Sequence, residues 1–156
     1  MTTSLSSLQK TTDATHAPAR PLVLVADDHA DTRLLFRTVL EVRGFSVIEA
    51  ADGEETVRTA EKLRPDLILM DCGLPRLSGV DATRRIRASA HIGQVPIIFI
   101  SGHAGTTFVA LAREAGCDEY LVKPFDLDQL EDLLEKYRGA QRSDLSPLDV
   151  RGMFTR

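Results

Sequence analysis

Short apolar runs alternate with longer amphipathic stretches five times between residues 21 and 138. The runs have the length of β-strands, and the stretches carry apolar residues at helical spacing. The five predicted strands are Leu22–Ala26, Phe45–Ala50, Asp66–Met70, Pro96–Ile100 and Glu119–Val122. Several are apolar at nearly every position, which is typical of parallel strands covered on both faces. The pattern therefore predicts a fold of repeating βα units.

The first two helices are predicted from their apolar positions and their ends. Along the first, one stripe is formed by Leu34, Leu35, Thr38, Val39 and Val42. Gly44 follows as a left-handed stop. The second begins at Asp52, with Glu55 three residues on as in a capping box, and ends before Pro65.

Three more helices follow from the same kinds of signal. Ser78 with Asp81 begins the third, and Asp126 with Gln129 begins the fifth. The fourth begins at Thr106 or Thr107 and ends at Gly116. Its apolar positions are Phe108, Leu111, Ala112 and Ala115, and the predicted inward residues of the fifth are Leu127, Leu130, Leu133, Leu134 and Tyr137.

Five units are too few for a barrel, which needs eight units and about 250 residues. We therefore predict an α/β fold with a doubly wound, five-stranded parallel sheet and five helices. In such sheets the functional crevice lies at the carboxyl ends of the strands. No GxxxxGK[ST] or GxGxxG segment supports nucleotide binding.

The chain divides into a leader, one domain and a tail. Residues 1–20 are rich in Ser, Thr and Ala and are predicted to be a flexible leader. Residues 21–138 form the domain, and residues 139–156 form a C-terminal tail. The tail is too short for a helix-turn-helix unit with its own core, so no direct DNA binding is expected.

Composition narrows the setting and the partners. The formal net charge of −4 offers no broad attraction to nucleic acid or anionic lipid. No segment resembles a secretory signal or a membrane span, and only two cysteines occur. These features predict a cytoplasmic protein that does not bind membranes. The histidines lack zinc-site spacing.

Polar groups follow the predicted strands at the edge where the crevice should lie. They are Asp27 and Asp28 after the first strand, Asp71 after the third, Ser101 after the fourth and Lys123 after the fifth. Carboxylates gathered at one place repel one another, and a hard cation such as Mg²⁺ neutralises them. For phosphoryl transfer, Asp71 would be the nucleophile, and Lys123 and Ser101 would contact phosphoryl oxygens.

Each of these groups also has a purely structural interpretation. The acidic pair could cap a helix, the Ser-Gly and Lys-Pro steps could be turns, and Asp71 could simply end a strand. Their joint occurrence at four strand ends favours the functional interpretation.

Four segments resemble the response-regulator receiver family of two-component signalling, in its stand-alone form. They are LVLVADDH, LILMDCGLPRLSG, VPIIFISGH and DEYLVKPF, and the resemblance covers residues 21–138. It implies a flavodoxin-like strand order of 2-1-3-4-5. It also implies that Asp71 accepts a phosphoryl group from a phosphohistidine on a sensor histidine kinase or histidine phosphotransfer protein.

The resemblance further assigns roles within the site. Asp28, Asp71 and the main-chain carbonyl of Gly73 would bind Mg²⁺, with Asp27 acting largely through water. Ser101 would be the switch hydroxyl, and Tyr120 would be the aromatic residue that rotates on phosphorylation. For Tyr120 alone, a core-edge aromatic with a solvated hydroxyl is the other interpretation.

The resemblance also implies an output surface. The fourth helix, fifth strand and fifth helix would contact a downstream protein or a second copy of the chain in a homodimer. Beyond Mg²⁺-dependent phosphorylation and dephosphorylation of itself, no enzyme activity is expected. The resemblance identifies neither the kinase nor the target. In the family, the side chains two residues after the acceptor and two after the switch hydroxyl influence the lifetime of the aspartyl phosphate. Here these positions are Gly73 and His103, so the lifetime is left open.

Two other functions fit less well. A Mg²⁺-dependent phosphatase of the haloacid-dehalogenase type would carry DxDx[TV] after its first strand, whereas this chain has Asp27, Asp28, His29 and Ala30 there. A phosphorylation-independent adaptor would not need the full set of site residues.

Overall fold

The computed structural model describes residues 19–138, and the predicted alternation of strands and helices is present in it. The strands are β1 (Leu22–Ala26), β2 (Ser46–Ala50), β3 (Leu67–Asp71), β4 (Ile97–Ser101) and β5 (Glu119–Val122). The helices are α1 (Ala30–Val42), α2 (Gly53–Leu63), α3 (Gly79–Ala88) and α4 (Thr106–Ala115), and residues 127–138 form α5. The predicted leader, apart from residues 19 and 20, and the predicted tail lie outside the described residues.

The strands form one parallel sheet in the order β2-β1-β3-β4-β5, as predicted. Ala26 at the end of β1 pairs with Met70, so the residues that follow them lie side by side. Ser101 at the end of β4 pairs with Val122, and Lys123 comes next. This register brings the predicted site residues to one edge of the sheet.

Alternate residues of the strands pack on opposite faces of the sheet because the side-chain period of a strand is two. Leu24, Ile68 and Phe99 face the layer formed by α2, α3 and α4. Val23, Leu69 and Ile98 face the layer formed by α1 and α5. Both faces of the sheet are covered, which explains why the central strands are apolar up to the polar residues that end β3 and β4, Asp71 and Ser101.

The predicted buried stripe of α1 is wrong. Phe36 and Leu40 pack into the core, whereas Leu34, Leu35 and Val42 are large exposed apolar side chains. Thr38 is also exposed, and Val39 is only partly buried, so the buried face of α1 is a different one from the predicted stripe.

The predicted helix ends agree with the structure. The Asp52 side chain accepts the Glu55 N–H at 2.7 Å, and the Ser78 side chain accepts the Asp81 N–H at 3.1 Å. Gly116 ends α4 in the left-handed region with φ 109°. Leu127 on α5, predicted to point inward, is exposed instead, and the apolar Leu111 on α4 is exposed as well.

Arg87 connects several segments at the end of the sheet opposite the strand ends that carry the polar groups. Its guanidinium donates to the carbonyls of Gly93, Val95 and Gly116 and pairs with Asp118 at 2.9 Å. It therefore ties α3 to the connection before β4 and to the C-terminal end of α4. No helix among residues 19–138 is long and apolar enough to span a bilayer.

Candidate functional site

Three carboxylates and one imidazole meet at the carboxyl edge of β1 and β3. Asp27, Asp28, His29 and Asp71 each offer an atom, and these four atoms lie within 4.8 Å of one another. The β1–β3 register causes this convergence, since Asp27 follows the residue that pairs with the one before Asp71. The predicted meeting of the acidic residues is thus present.

Asp27 is almost fully buried and is fixed from several sides. Its Oδ1 accepts the backbone N–H of His29 at 2.8 Å, and its Oδ2 lies 3.7 Å from Lys123 Nζ. Arg33 donates to its main-chain carbonyl at 2.8 Å. The N-cap of α1 is His29, so neither Asp27 nor Asp28 is at the capping position.

The Asp71 carboxyl lies where its charged form is unfavourable. Burial raises its pKa most, and the charges of Asp27 and Asp28 raise it further. The N–H of Gly73, 3.3 Å from Asp71 Oδ1, and the charge of Lys123 act in the opposite direction. A cation at this position would relieve the remaining repulsion, so the donor set fits a divalent metal.

Lys123 lies between the acidic residues and the neighbouring strand ends. Its backbone N–H donates to the Ser101 carbonyl at 2.8 Å, which joins the ends of β4 and β5. About a third of its side chain is exposed, so the ammonium borders the opening of the site. The Lys123 ammonium is thus placed beside the Asp27 carboxylate as well as partly in solvent.

Ser101 and Tyr120 contact the backbone of one residue, His103, on the loop between β4 and α4. Ser101 is buried, and its Oγ accepts the N–H of His103 at 3.2 Å. The Tyr120 hydroxyl donates to the carbonyl of His103 at 2.7 Å. Tyr120 is thus an aromatic at the edge of the core whose hydroxyl binds the loop backbone.

Cys72 lies beneath this pair. Its Sγ is 4.0 Å from the Tyr120 hydroxyl oxygen, and its side chain is buried in the core. Burial raises the pKa of the Cys72 thiol to about 11, which hydrogen bonds to Ser101 and Tyr120 only partly offset. The thiol is thus an uncharged packing group between the acceptor strand and the Ser101–Tyr120 pair.

Two glycines let the loop after Asp71 pass close to the helices. A Cβ at Gly79 would lie 2.4 Å from the Asp71 carbonyl oxygen, and one at Gly53 would lie 1.9 Å from the Leu77 carbonyl oxygen. The N–H of Gly79 also donates to the carbonyl of Cys72 at 3.1 Å. These contacts hold the acceptor loop against α2 and α3.

Sequence reasoning missed two contributors to the site, Arg33 and His29. Arg33 pairs with Glu49 at 3.4 Å while it donates to Asp27, and Arg37 pairs with the same carboxylate at 2.8 Å. His29 contacts both carboxylates of the pair. The position of His29 directly after the acidic pair was a usable signal, whereas the Arg33–Glu49 contact crosses between elements and has no signature in the sequence.

The comparisons with known proteins agree with this arrangement. The family described as the response regulator receiver domain matches residues 23–135. The chain is 40% identical over 126 residues to the transcriptional regulatory protein PdtaR of Mycobacterium tuberculosis, covering 80% of this chain and 60% of PdtaR. It is also 33% identical over 132 residues to the DNA-binding response regulator MtrA of the same species, covering 84% and 55%. The chain thus spans little more than half the length of these relatives.

Solved structures match the fold. The chain is similar to the receiver domain of the sensor histidine kinase PA1611 from Pseudomonas aeruginosa, whose structure has a magnesium ion coordinated in the active site cleft. The TM-score is 0.72 at 37% identity, covering 78% of this chain and 99% of that one. The chemotaxis protein CheY4 of Vibrio cholerae gives a TM-score of 0.72 at 28% identity, covering 76% and 99%. Sheet order, site geometry and family match together show that this chain belongs to the response regulator receiver domain family of two-component signalling.

Proposed function

We propose that Asp71 accepts a phosphoryl group from a phosphohistidine donor, and that the chain signals through altered contacts with other proteins. The observation that supports this most directly is the convergence of three carboxylates and Lys123 at one sheet edge. A carboxylate oxygen of Asp71 forms the new O–P bond while the donor's N–P bond breaks. The released imidazole takes up a proton.

The residues around Asp71 have separate tasks in this proposal. Asp28, Asp71 and the Gly73 carbonyl would hold Mg²⁺, with Asp27 acting through water, and the bound ion would neutralise charge on the phosphoryl oxygens. The ammonium of Lys123 binds another phosphoryl oxygen. Asp27 keeps Lys123 near the opening of the site, and Gly73 N–H orients the acceptor carboxylate.

The product is expected to pull on the loop that carries His103. The phosphoryl group adds nearly two negative charges and strong acceptor oxygens. The Ser101 hydroxyl, whose oxygen now accepts the His103 N–H, is the nearest switch candidate on β4. A changed bond at Ser101 would alter the loop and, through Tyr120, the surface formed by α4, β5 and α5. Leu111 and Val122 give that surface exposed apolar area for a downstream protein or a second copy of the chain.

The donor must cover the opening of the site, and an apolar groove borders it. The groove has a volume of ≈ 300 Å³ and is lined by Thr32, Leu35, Phe36, Lys123, Pro124 and Phe125. Lys123 belongs to both the groove and the acidic site. Leu35 in this lining is 61% exposed. Leu34, next to it in sequence, and Leu127, two residues after Phe125, are also exposed. We assign this groove to the phosphohistidine-bearing protein, because a donor seated there reaches Asp71 past Lys123.

The test is phosphorylation of the full chain by acetyl phosphate with Mg²⁺, followed by intact-mass measurement and hydroxylamine treatment, which cleaves acyl phosphates. We expect one phosphoryl group on the wild type, none on Asp71→Asn and none in excess chelator. Asp132→Asn, the same change on the exposed face of α5, is the control and should be labelled normally. Labelling of Asp71→Asn would overturn the proposal. Steady hydrolysis of phosphate esters that Asp27→Asn abolishes would favour the phosphatase alternative.

Docking is tested separately from chemistry. With a phosphohistidine donor, Leu35→Glu should transfer slowly while its labelling by acetyl phosphate stays unchanged. Leu63→Glu, at an exposed leucine on α2 away from the groove, should behave like the wild type. Equal transfer rates for both variants would exclude the groove as the donor surface.

The cytoplasmic setting and the absence of direct DNA binding remain part of the proposal. MtrA is named a DNA-binding response regulator, and this chain matches 55% of its length. An electrophoretic mobility assay with the phosphorylated chain tests the second point, and no shift is expected.

A further inference from the structure

The imidazole of His29 lies against the acidic pair although most of its side chain is open to solvent. Its Nδ1 is 3.0 Å from Asp28 Oδ1 and 3.3 Å from Asp27 Oδ1, and 72% of the side chain is exposed. An exposed side chain free to point into water has instead turned toward two carboxylates. The ring therefore belongs to the acidic site.

The backbone helps to keep the ring there. His29 is the N-cap of α1 with φ −94° and ψ 118°, and its own N–H donates to Asp27 Oδ1 at 2.8 Å. It forms no side-chain cap bond, so its ring nitrogens are not used by the helix. The main chain thus presents the imidazole beside Asp28 without involving it in the fold.

The spacing of the four atoms suits one metal ion. An octahedral ion with bonds of about 2.1 Å places adjacent ligand atoms roughly 3.0 Å apart and opposite ones roughly 4.2 Å apart. The His29–Asp28 separation of 3.0 Å equals the adjacent spacing. The four atoms lie within 4.8 Å of one another, slightly more than the opposite spacing, so small rotations of the exposed Asp28 and His29 side chains would be needed.

We propose that His29 is a nitrogen ligand of this site, so that the pocket takes borderline divalent cations such as Co²⁺ and Zn²⁺ in addition to Mg²⁺. The inference rests on the metal site in the proposed function and extends its ligand set. Imidazole suits first-row metals of this kind, whereas Mg²⁺ prefers oxygen ligands and retains water. As a ligand the imidazole is neutral, so it adds a donor without adding to the repulsion among the carboxylates.

The experiment measures the binding of Co²⁺, Zn²⁺ and Mg²⁺ to the full chain and to His29→Gln. Co²⁺ binding is followed by its visible absorption, whose position and intensity report nitrogen ligation, and all three are followed by calorimetry. Loss of His29 should weaken Co²⁺ and Zn²⁺ binding by about tenfold or more and change Mg²⁺ binding by less than about threefold. The Co²⁺ spectrum should also shift. His91→Gln, an exposed histidine away from the carboxylates, is the matched control and should change neither.

Equal losses for all three cations in His29→Gln, or an unchanged Co²⁺ spectrum, would overturn the proposal. A drop in Co²⁺ affinity in His91→Gln would do the same, because it would place the ion elsewhere. Asp28→Asn separates this inference from the proposed function, since it should weaken every cation. If Asp71→Asn were still phosphorylated while His29→Gln changed the cation preference, only the phosphoryl-acceptor proposal would fail.

Discussion

Ser101 and Tyr120 both bind the backbone of His103, Ser101 by accepting its N–H and Tyr120 by donating to its carbonyl. The first comes from the end of β4 and the second from β5, so the loop is tied to two neighbouring strands. The His103 ring also lies 5.0 Å from the ring of Phe108, centroid to centroid, at the start of α4. The conformation of this loop therefore depends directly on both polar groups.

Removing the Tyr120 hydroxyl should loosen this loop. Tyr120→Phe keeps the ring contacts with Phe99 and Phe108 but loses the bond to the His103 carbonyl. The expected cost is about 0.5–1.5 kcal/mol in the free energy of unfolding. Hydrogen exchange measured by mass spectrometry should become faster in residues 102–105. Tyr137→Phe, which removes a hydroxyl on α5, is the control, and hydrogen exchange in residues 102–105 should stay at the wild-type rate in it. If this control sped up exchange in residues 102–105 as much as Tyr120→Phe does, the explanation would be contradicted.

Alanine at Gly79 should destabilise the domain although the position is helical. Gly→Ala in a helix usually stabilises by about 0.5–1 kcal/mol. Here the added methyl would lie 2.4 Å from the Asp71 carbonyl oxygen, so we expect a loss of about 1–3 kcal/mol in urea denaturation. Gly73→Ala is the control, because its Cβ would meet nothing within 4 Å. A stabilised Gly79→Ala protein would show that the acceptor loop moves away at little cost.

Arg33→Ala should destabilise the domain more than removal of an exposed arginine. The guanidinium is 19% exposed and donates to the Asp27 carbonyl, and hydrogen bonds from charged donors contribute about 1.5–3 kcal/mol. Urea denaturation gives the difference. Arg84→Ala removes only a surface pair with Asp81 and should change stability by less than about 0.5 kcal/mol. Equal effects would mean that Arg33 does not support Asp27.

The two cysteines should differ in reactivity. With metal chelated, alkylation of Cys72 in Cys117→Ser should be far slower than alkylation of Cys117 in Cys72→Ser. Cys72 is 4% exposed, whereas Cys117 is only partly buried. The thiolate is the reactive form, so a pKa of about 11 means that the Cys72 rate should still rise with pH in neutral and mildly alkaline solution. Urea should remove the difference, and similar rates in the folded variants would contradict it.

The fold could be predicted because strands and helix ends carry local signals. Asp52 and Ser78 act as caps through contacts within three residues, and Gly116 adopts a conformation that other residues rarely take. The face of α1 has no such signal. Apolar residues occur on two adjacent sides of this helix, and packing of Phe36 and Leu40 against the sheet decides which side is buried. That choice is tertiary, so Leu34 and Leu35 were assigned to the wrong side.

The site could be predicted in outline for a similar reason. Parallel strands place their ends together, so Asp27, Asp71 and Lys123 could be assigned to one edge before any coordinates were known. The contacts that surround these three residues depend on the directions of side chains from other elements. The bond from Arg33 to the Asp27 carbonyl depends on the course of α1 beside β2, and periodicity does not encode it.

The hydrogen bonds of Arg87 have a consequence for the movement of α4. They fasten the Gly116 end of the helix to α3 and to the chain before β4, whereas the other end begins next to the loop that carries His103. With one end anchored and the other next to the acidic edge, the helix has a pivot. Rearrangement of the loop should therefore make α4 swing like a lever about Gly116, with the largest displacement near Thr106 and almost none near Asp118.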